Sequence, residues 1–252
     1  MNICIIPARS GSKRIPHKNI KQFCGKPIIS YSIQNAIESK IFDHIIVSTD
    51  DAKIATIAQK YGAQTPFLRP KELSNDLCAT LPVIAHAITA LKLSQDDLKS
   101  CFVCCLYPTA PLIDSTHITQ AYTHLTQNPN KEYVFYATKL EKSPLRAFTL
   151  DTHNAPHLLF SQFEQSRSQD LDSVFVDAGV LYFGKASAFL AQKLIFHTHS
   201  MALILESSLA QDIDTPLDWQ IAKAKYRAKL KHNATSHTTH KITRKITKDK
   251  AQ

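Results

Sequence analysis

Ile3-Cys4-Ile5-Ile6-Pro7-Ala8-Arg9-Ser10-Gly11-Ser12-Lys13-Arg14-Ile15-Pro16-His17-Lys18-Asn19 begins as a short apolar run and turns abruptly into a basic, polar loop. The run predicts a strand, and residues 27–40 follow with apolar side chains at Ile28, Ile29, Ile33, Ala36 and Ile37, a helical spacing. Outward from this unit the alternation repeats. Residues 44–49, 64–68, 101–107, 133–139, 180–183 and 202–205 read as strands. Helical stretches lie between them: one from Asp50-Asp51 through Tyr61 with Gly62 as its stop, then residues 80–91, 115–126 and 185–190. Such an alternation implies an α/β fold of three layers, a mostly parallel Rossmann-like sheet covered on both faces.

The rhythm changes over residues 140–175, which are polar, rich in Ser, Gln and His, and predict an insertion of loops and short strands. Thr215-Pro216-Leu217-Asp218 is a capping-box start for a last helix, with Pro at the first helical position. From about Lys231 the apolar periodicity is lost. We therefore expect a folded domain over residues 1–230 and a disordered basic tail over 231–252.

In α/β sheets ligands bind in the loops beyond the carboxyl ends of the strands, which is where residues 8–19 fall. Arg9, Lys13, Arg14, Lys18 and Lys21 crowd into thirteen positions, with Gly11 to let a phosphate approach and Ser12 and Asn19 to hydrogen-bond. That set matches a triphosphate. A merely solvated basic loop is the plain alternative, and its place after the first strand argues against it. His17 is a minor candidate contact. Only Gly11 and Gly25 occur in this region, so neither the dinucleotide fingerprint nor the Walker loop is present.

Net charge is +9, but ten Lys or Arg against Asp249 alone lie in residues 223–252, leaving twenty charges of each sign in the body. A neutral body argues against a nucleic-acid clamp; the tail alone offers an electrostatic alternative, attachment to nucleic acid or to an anionic surface. No apolar run is long enough for a membrane span and the start lacks a secretion signal, so a cytoplasmic protein is expected. The six cysteines sit mostly in apolar runs. Cys101-x-x-Cys104 lacks a second pair at zinc spacing and reads as buried strand.

Asp212 and Asp214, two apart ahead of the last helix, point the same way if the segment is extended, so both carboxylates can face one Mg²⁺. Favourable placement at a helix start is the structural alternative. Asp50 and Asp51 form a second pair, better read as a helix cap.

Ala8-Arg9-Ser10-Gly11-Ser12-Lys13 with Lys18-Asn19 resembles the nucleotide-binding signature of the CMP-sialic acid synthetase family of cytidylyltransferases. Further family-like stretches follow in order: Val47-Ser48-Thr49-Asp50, Arg69-Pro70 leading to Leu73 and Asp76, Leu106-Tyr107-Pro108-Thr109-Ala110-Pro111, Arg167-Ser168-Gln169-Asp170-Leu171, and Gln211-Asp212-Ile213-Asp214-Thr215. The resemblance implies an Mg²⁺-dependent nucleotidyltransferase that joins CMP from CTP to a nine-carbon acidic sugar and releases pyrophosphate. It implies Lys18, Asp212 and Asp214 as catalytic residues, with the metal on the two aspartates. Arg9, Ser12, Lys13, Lys18 and Asn19, helped by Arg69 and Thr80, would grip the nucleotide, and the backbone around Ala8 would read the base edge.

Tyr107 stands where sialic acid enzymes of the family carry Gln, and Val176-Asp177-Ala178-Gly179 where they carry Arg-Pro-Asn-Gly. With Arg14-Ile15-Pro16 and Phe23-Cys24-Gly25-Lys26-Pro27, these departures resemble the pseudaminic acid branch of the family. The resemblance then points to Tyr107, Thr109, Arg146, Arg167, Gln169 and Asp177 at the sugar, with Arg146 or Arg167 on its carboxylate. Sialic acid, legionaminic acid and Kdo remain alternative substrates. The resemblance also implies a homodimer in which the 140–175 arm completes the neighbour's sugar site.

Overall fold

The computed structural model describes the backbone of residues 1–249 and the side chains of residues 1–232. The chain begins with β1 (Asn2–Pro7), the two-residue strands β2 (Gln22–Phe23) and β3 (Lys26–Pro27), and α1 (Ile29–Ser39). It continues through β4 (His44–Ser48), α2 (Ala52–Lys60), α3 (Thr80–Ala90), α4 (Gln95–Ser100), β5 (Phe102–Leu106), α5 (Ser115–Gln127) and β6 (Tyr133–Lys139). The remaining elements are β7 (Phe148–Leu150), β8 (Pro156–Leu158), β9 (Phe175–Lys185), α6 (Ala186–Leu190), β10 (Ser200–Ile204) and α7 (Pro216–Asp249).

Six strands form one sheet in the order β10-β6-β9-β5-β1-β4. β1 runs parallel to β4 and β5, β10 runs parallel to β6, and β9 alone lies antiparallel between β5 and β6. The alternation of side chains along β1 divides the core into two layers. Cys4 and Ile6 pack with Ile29, Ile33 and Ala36 of α1 and Ile118, Ala121 and Leu125 of α5. Ile3 and Ile5 face the other way, onto Ile84, Ala87 and Ile88 of α3 and Ala186 and Phe189 of α6. Each buried Ile side chain contributes about 1.5–3 kcal/mol, so this two-faced burial holds β1 inside the sheet, between β5 and β4, with a packed layer on each face.

Three sequence expectations change. Residues 64–68 form no strand; Gln64 makes a single parallel bridge to Ile46, because Pro66 has no N–H with which to continue a ladder. The short helix α4, capped by Ser94, and the β2–β3 ribbon were not anticipated. α7 continues as helix to Asp249 through the segment expected to be disordered, since no Gly or Pro follows Pro216 to stop it. The last part of that expected tail, residues 250–252 and the side chains from 233 onward, lies outside the described residues.

All six cysteines are free. Cys4 and Cys104 are register partners on β1 and β5, and burial pushes the Cys101 thiol up to about 11 and those of Cys104 and Cys105 well above the ordinary thiol range. They serve as apolar packing. No described helix is long and apolar enough to cross a membrane.

Candidate active site

The basic loop is fixed at both ends. Ala8 N donates to Ser48 O at 2.9 Å, extending the β1–β4 ladder, so that N–H is not open to a base. Ser10 donates through N and Oγ to the two carboxylate oxygens of Asp50, at 2.9 and 2.8 Å. Buried Asn19 donates through Nδ2 to Arg9 O at 2.9 Å, closing the loop on itself. Asp51 caps α2 by accepting from Lys53 N and Ile54 N, so the Asp50 and Asp51 pair works on the backbone. Gly11 has an ordinary φ, and a Cβ there would meet Arg9 Nη1 at 3.4 Å, an ordinary contact.

Between these ties, Ile15 plugs into a third apolar cluster with Phe23, Ile28, Tyr31, Ile213, Trp219 and Ala222. Phe23, at the centre, meets the rings of Tyr31, Trp219 and Tyr226 edge to face. This cluster brings the two ends of the chain together. Ile213 is fully buried in it, so its neighbours Asp212 and Asp214 are directed outward. Asp218 Oδ2 accepts from Thr215 N at 2.7 Å and Thr215 Oγ1 accepts from Asp218 N at 3.2 Å, the reciprocal cap read from the sequence.

Lys18 Nζ donates to Ile213 O at 2.7 Å and lies 3.3 Å from Asp214 Oδ1. Arg14 Nη2 donates to Asp214 Oδ2 at 2.8 Å. The basic loop and Asp214 therefore share one cavity of about 310 Å³, lined by Arg9, Ser12, Lys13, Arg14, Lys18, Asn19, Asp76 and Asp214, with Asp212 two residues before Asp214 and outside that lining. Desolvation, then the adjacent Asp214 carboxylate, raise the Asp212 pKa against the pull of Lys18. Two neighbouring carboxylates that repel each other beside a group of cations suit a hard divalent cation, which takes one or two carboxylates and completes its shell with other oxygen ligands and water. Among the described residues no cluster of three or more His, Cys, Asp or Glu placed to hold a metal ion is present, here or elsewhere.

A second cavity of about 220 Å³ adjoins the first through Arg9, Lys18 and Asn19 and continues to Arg69, Thr80, Tyr107 and Thr109. Arg69 is buried, and burial lowers its pKa although Asp50 opposes the shift. Its Nε donates to Ser74 Oγ at 3.1 Å, while Nη2 is buried with no partner among the described residues, a donor left for a ligand. Tyr107 Oη and Thr80 Oγ1 are 2.8 Å apart, and the Tyr107 ring stands edge-on to Tyr182. Tyr182 Oη in turn donates to Asp177 Oδ2, and Asp177 Oδ1 is buried without a described partner.

Not all sequence candidates meet here. Asp177 is engaged by Tyr182 and lines neither cavity. Arg146 and Gln169 line a separate cavity of about 580 Å³ within the insertion, and Arg167 is exposed on a turn beside it. His17 is exposed and holds a left-handed φ of 54° at the turn into Lys18, a backbone role. Tyr182 and Asn75 escaped the sequence reading because an aromatic in a buried strand and a polar residue in a loop carry no spacing signal.

A three-layer α/β domain that brings a basic loop after its first strand and Asp214 of an Asp-x-Asp to one cavity has the arrangement of a nucleotidyltransferase. The family model described as "Cytidylyltransferase" matches residues 3–211, and the chain belongs to that family. A pseudaminic acid cytidylyltransferase of Campylobacter jejuni is 46% identical over 226 residues, covering 90% of this chain and 96% of the relative. An N-acylneuraminate cytidylyltransferase of Escherichia coli is 32% identical, covering 87% of this chain and 51% of that protein. Among solved structures, a CMP:2-keto-3-deoxy-manno-octonic acid synthetase complexed with CTP superposes with a TM-score of 0.66 at 15% identity, covering 90% of this chain and 99% of that one. That likeness establishes the fold.

Proposed function

We propose that this enzyme transfers CMP from CTP to the anomeric hydroxyl of pseudaminic acid, releasing pyrophosphate, in the biosynthesis of surface glycan or modified flagellin. Its 46% identity to a pseudaminic acid cytidylyltransferase over nearly the full length of both chains supports the substrate. The observation that carries the reading is the approach of Lys18 and Arg14 to Asp214 at the cavity shared with Arg9 and Lys13. The electrostatic-tail alternative has no support among the relatives.

In this reading Arg9, Lys13, Arg14 and Lys18 neutralise the triphosphate. Asn19 holds the loop, while Arg69 and Thr80 meet the nucleoside side of the cleft. The hydroxyl oxygen forms a bond to the α-phosphorus, the bond from that phosphorus to the bridging oxygen breaks, and the hydroxyl proton is lost to the solvent side of the cleft. Asp212 and Asp214 would hold Mg²⁺, which when bound supplies charge neutralisation at the phosphates. The protein's part is to orient the chain of phosphates and keep the leaving group paired with cations.

The arm over residues 140–175 is assigned to a homodimer contact. Phe148, Leu150, Leu159, Phe160, Phe175 and Val176 are all exposed in or beside it. Arg146, Arg167 and Gln169 then serve the sugar site of the neighbouring copy, which accounts for their distance from the nucleotide cleft of their own chain. The use of CTP fits a cytoplasmic enzyme.

The test is pyrophosphate release with CTP and Mg²⁺ across pseudaminic, legionaminic and N-acetylneuraminic acids and Kdo. Fastest turnover of pseudaminic acid is expected; preference for any of the other three overturns the substrate assignment.

A further inference from the structure

The segment between Arg69 and α3 is held by its own bonds. Asn75 Oδ1 accepts from Leu77 N and Cys78 N, both at 2.9 Å, and Asn75 Nδ2 donates to Glu72 O at 2.8 Å. Ser74 Oγ donates to Pro70 O and accepts from Arg69 Nε, and Arg69 N donates to Thr49 O at 2.7 Å. None of these bonds involves the Asp76 side chain, so the fold of the segment does not depend on it.

That side chain reaches instead across the cavity mouth to the basic loop. Asp76 Oδ1 lies 2.6 Å from Arg9 Nη1, and Asp76 Oδ2 lies 2.7 Å from Lys13 Nζ. Both of its oxygens are thus engaged, one by each cation, in the way that two phosphoryl oxygens would be. Hydrogen bonds from Lys13, then Arg9, lower the Asp76 pKa and keep it ionised at neutral pH. The four cations lining the 310 Å³ cavity fall into two pairs, Arg9 and Lys13 on Asp76, Arg14 and Lys18 on Asp214. Asp214 has a cation to turn to when Mg²⁺ arrives with the nucleotide, whereas nothing in the proposed reaction needs Asp76. Exposed ion pairs of this kind are weak and exchange readily.

We propose that Asp76 is a competing anion in the triphosphate site: it pairs with Arg9 and Lys13 while the site is free, yields to CTP, and returns to help expel pyrophosphate. This rests on the reading of the basic loop as the triphosphate site. Removing the charge therefore tightens binding of both CTP and pyrophosphate, where loss of a residue that merely positioned Arg9 and Lys13 would weaken it.

The experiment is calorimetric titration of CTP and of pyrophosphate, each with Mg²⁺, into the full-length protein and its Asp76→Asn, Asp76→Ala and Asp76→Glu variants. For Asn and Ala we expect about 3–10-fold lower Kd for both ligands and stronger product inhibition by pyrophosphate, with Glu close to the native protein. Equal or higher Kd in Asn and Ala, with CTP still bound by the native protein, overturns the inference alone. Failure of the native protein to bind CTP overturns the underlying site.

Discussion

The nucleotide cleft and the 140–175 insertion are built on opposite plans. In the cleft several side chains are fixed by partners remote in sequence: Ser10 by Asp50, Lys18 by Ile213, Arg14 by Asp214. In the insertion the bonds are short-range, a β7–β8 hairpin whose turn is tied by Asp151 to His153 N and Ala155 N, and large apolar residues face solvent. The difference teaches that the cleft is held by contacts between distant parts of one chain, whereas the insertion holds itself locally and leaves apolar side chains exposed, as the proposed dimer contact would require.

The strongest way to break this contrast is at the cleft. Asp214→Ala removes the shared partner of Arg14 and Lys18 and one of the two carboxylates proposed to hold Mg²⁺. Its kcat/KM, measured by pyrophosphate release, should fall by about 10²–10³-fold; an unchanged Mg²⁺-dependent rate would refute the role of the pair. A smaller effect is expected at the arm. Phe148→Asp combined with Leu150→Asp should convert a dimer to a monomer by light scattering and lower sugar-dependent turnover about tenfold, with CTP binding retained. A monomeric native protein, or full turnover by the monomeric variant, would remove the need for cover.

Two further substitutions sharpen the picture of the cleft's support. Tyr182→Phe deletes the donor to the Asp177 carboxylate beneath Tyr107 and should cost about 1–3 kcal/mol in denaturant unfolding. No loss would mean that water replaces the hydroxyl. Asp114, which caps α5 and approaches Lys229 of α7 at 3.2 Å, gives a pH signature. The hydrogen bond from His117, with Thr116 and Lys229 assisting, depresses its pKa in the fold. Its stabilisation is therefore present above the ordinary Asp range, near pH 4, and is lost as pH falls toward the depressed folded value. Asp114→Ala should lower stability by about 0.5–2 kcal/mol at pH 7, and the gap from the native protein should narrow in acid. A pH-independent gap would assign the loss to packing.

The layers of the fold were legible because apolar periodicity is a local record of which face each segment buries. The reading failed where one residue overrode the pattern, as Pro66 did by ending a ladder after one bridge. It also missed α4, too short and polar to show a face. At the site, the basic loop and the Asp-x-Asp stood out by composition and spacing. The engagement of Asp177 by Tyr182, five residues on in the same strand, had no sequence signal, because an odd spacing puts two side chains on opposite faces of a regular strand and only the irregularity of β9, with Gly179 at a φ of 62°, brings them together.

By itself, then, the sequence determined the order of strands and helices, the position of a phosphate loop after the first strand, and the presence of two carboxylates ahead of the last helix. Each is a property of neighbouring residues and is written in local spacing. Only the tertiary structure decided that the loop and Asp214 share one cavity, and which acid each cation meets. That outcome follows from packing Ile15 and Ile213 into a single aromatic-lined cluster, a contact between the two ends of the chain that no local pattern specifies.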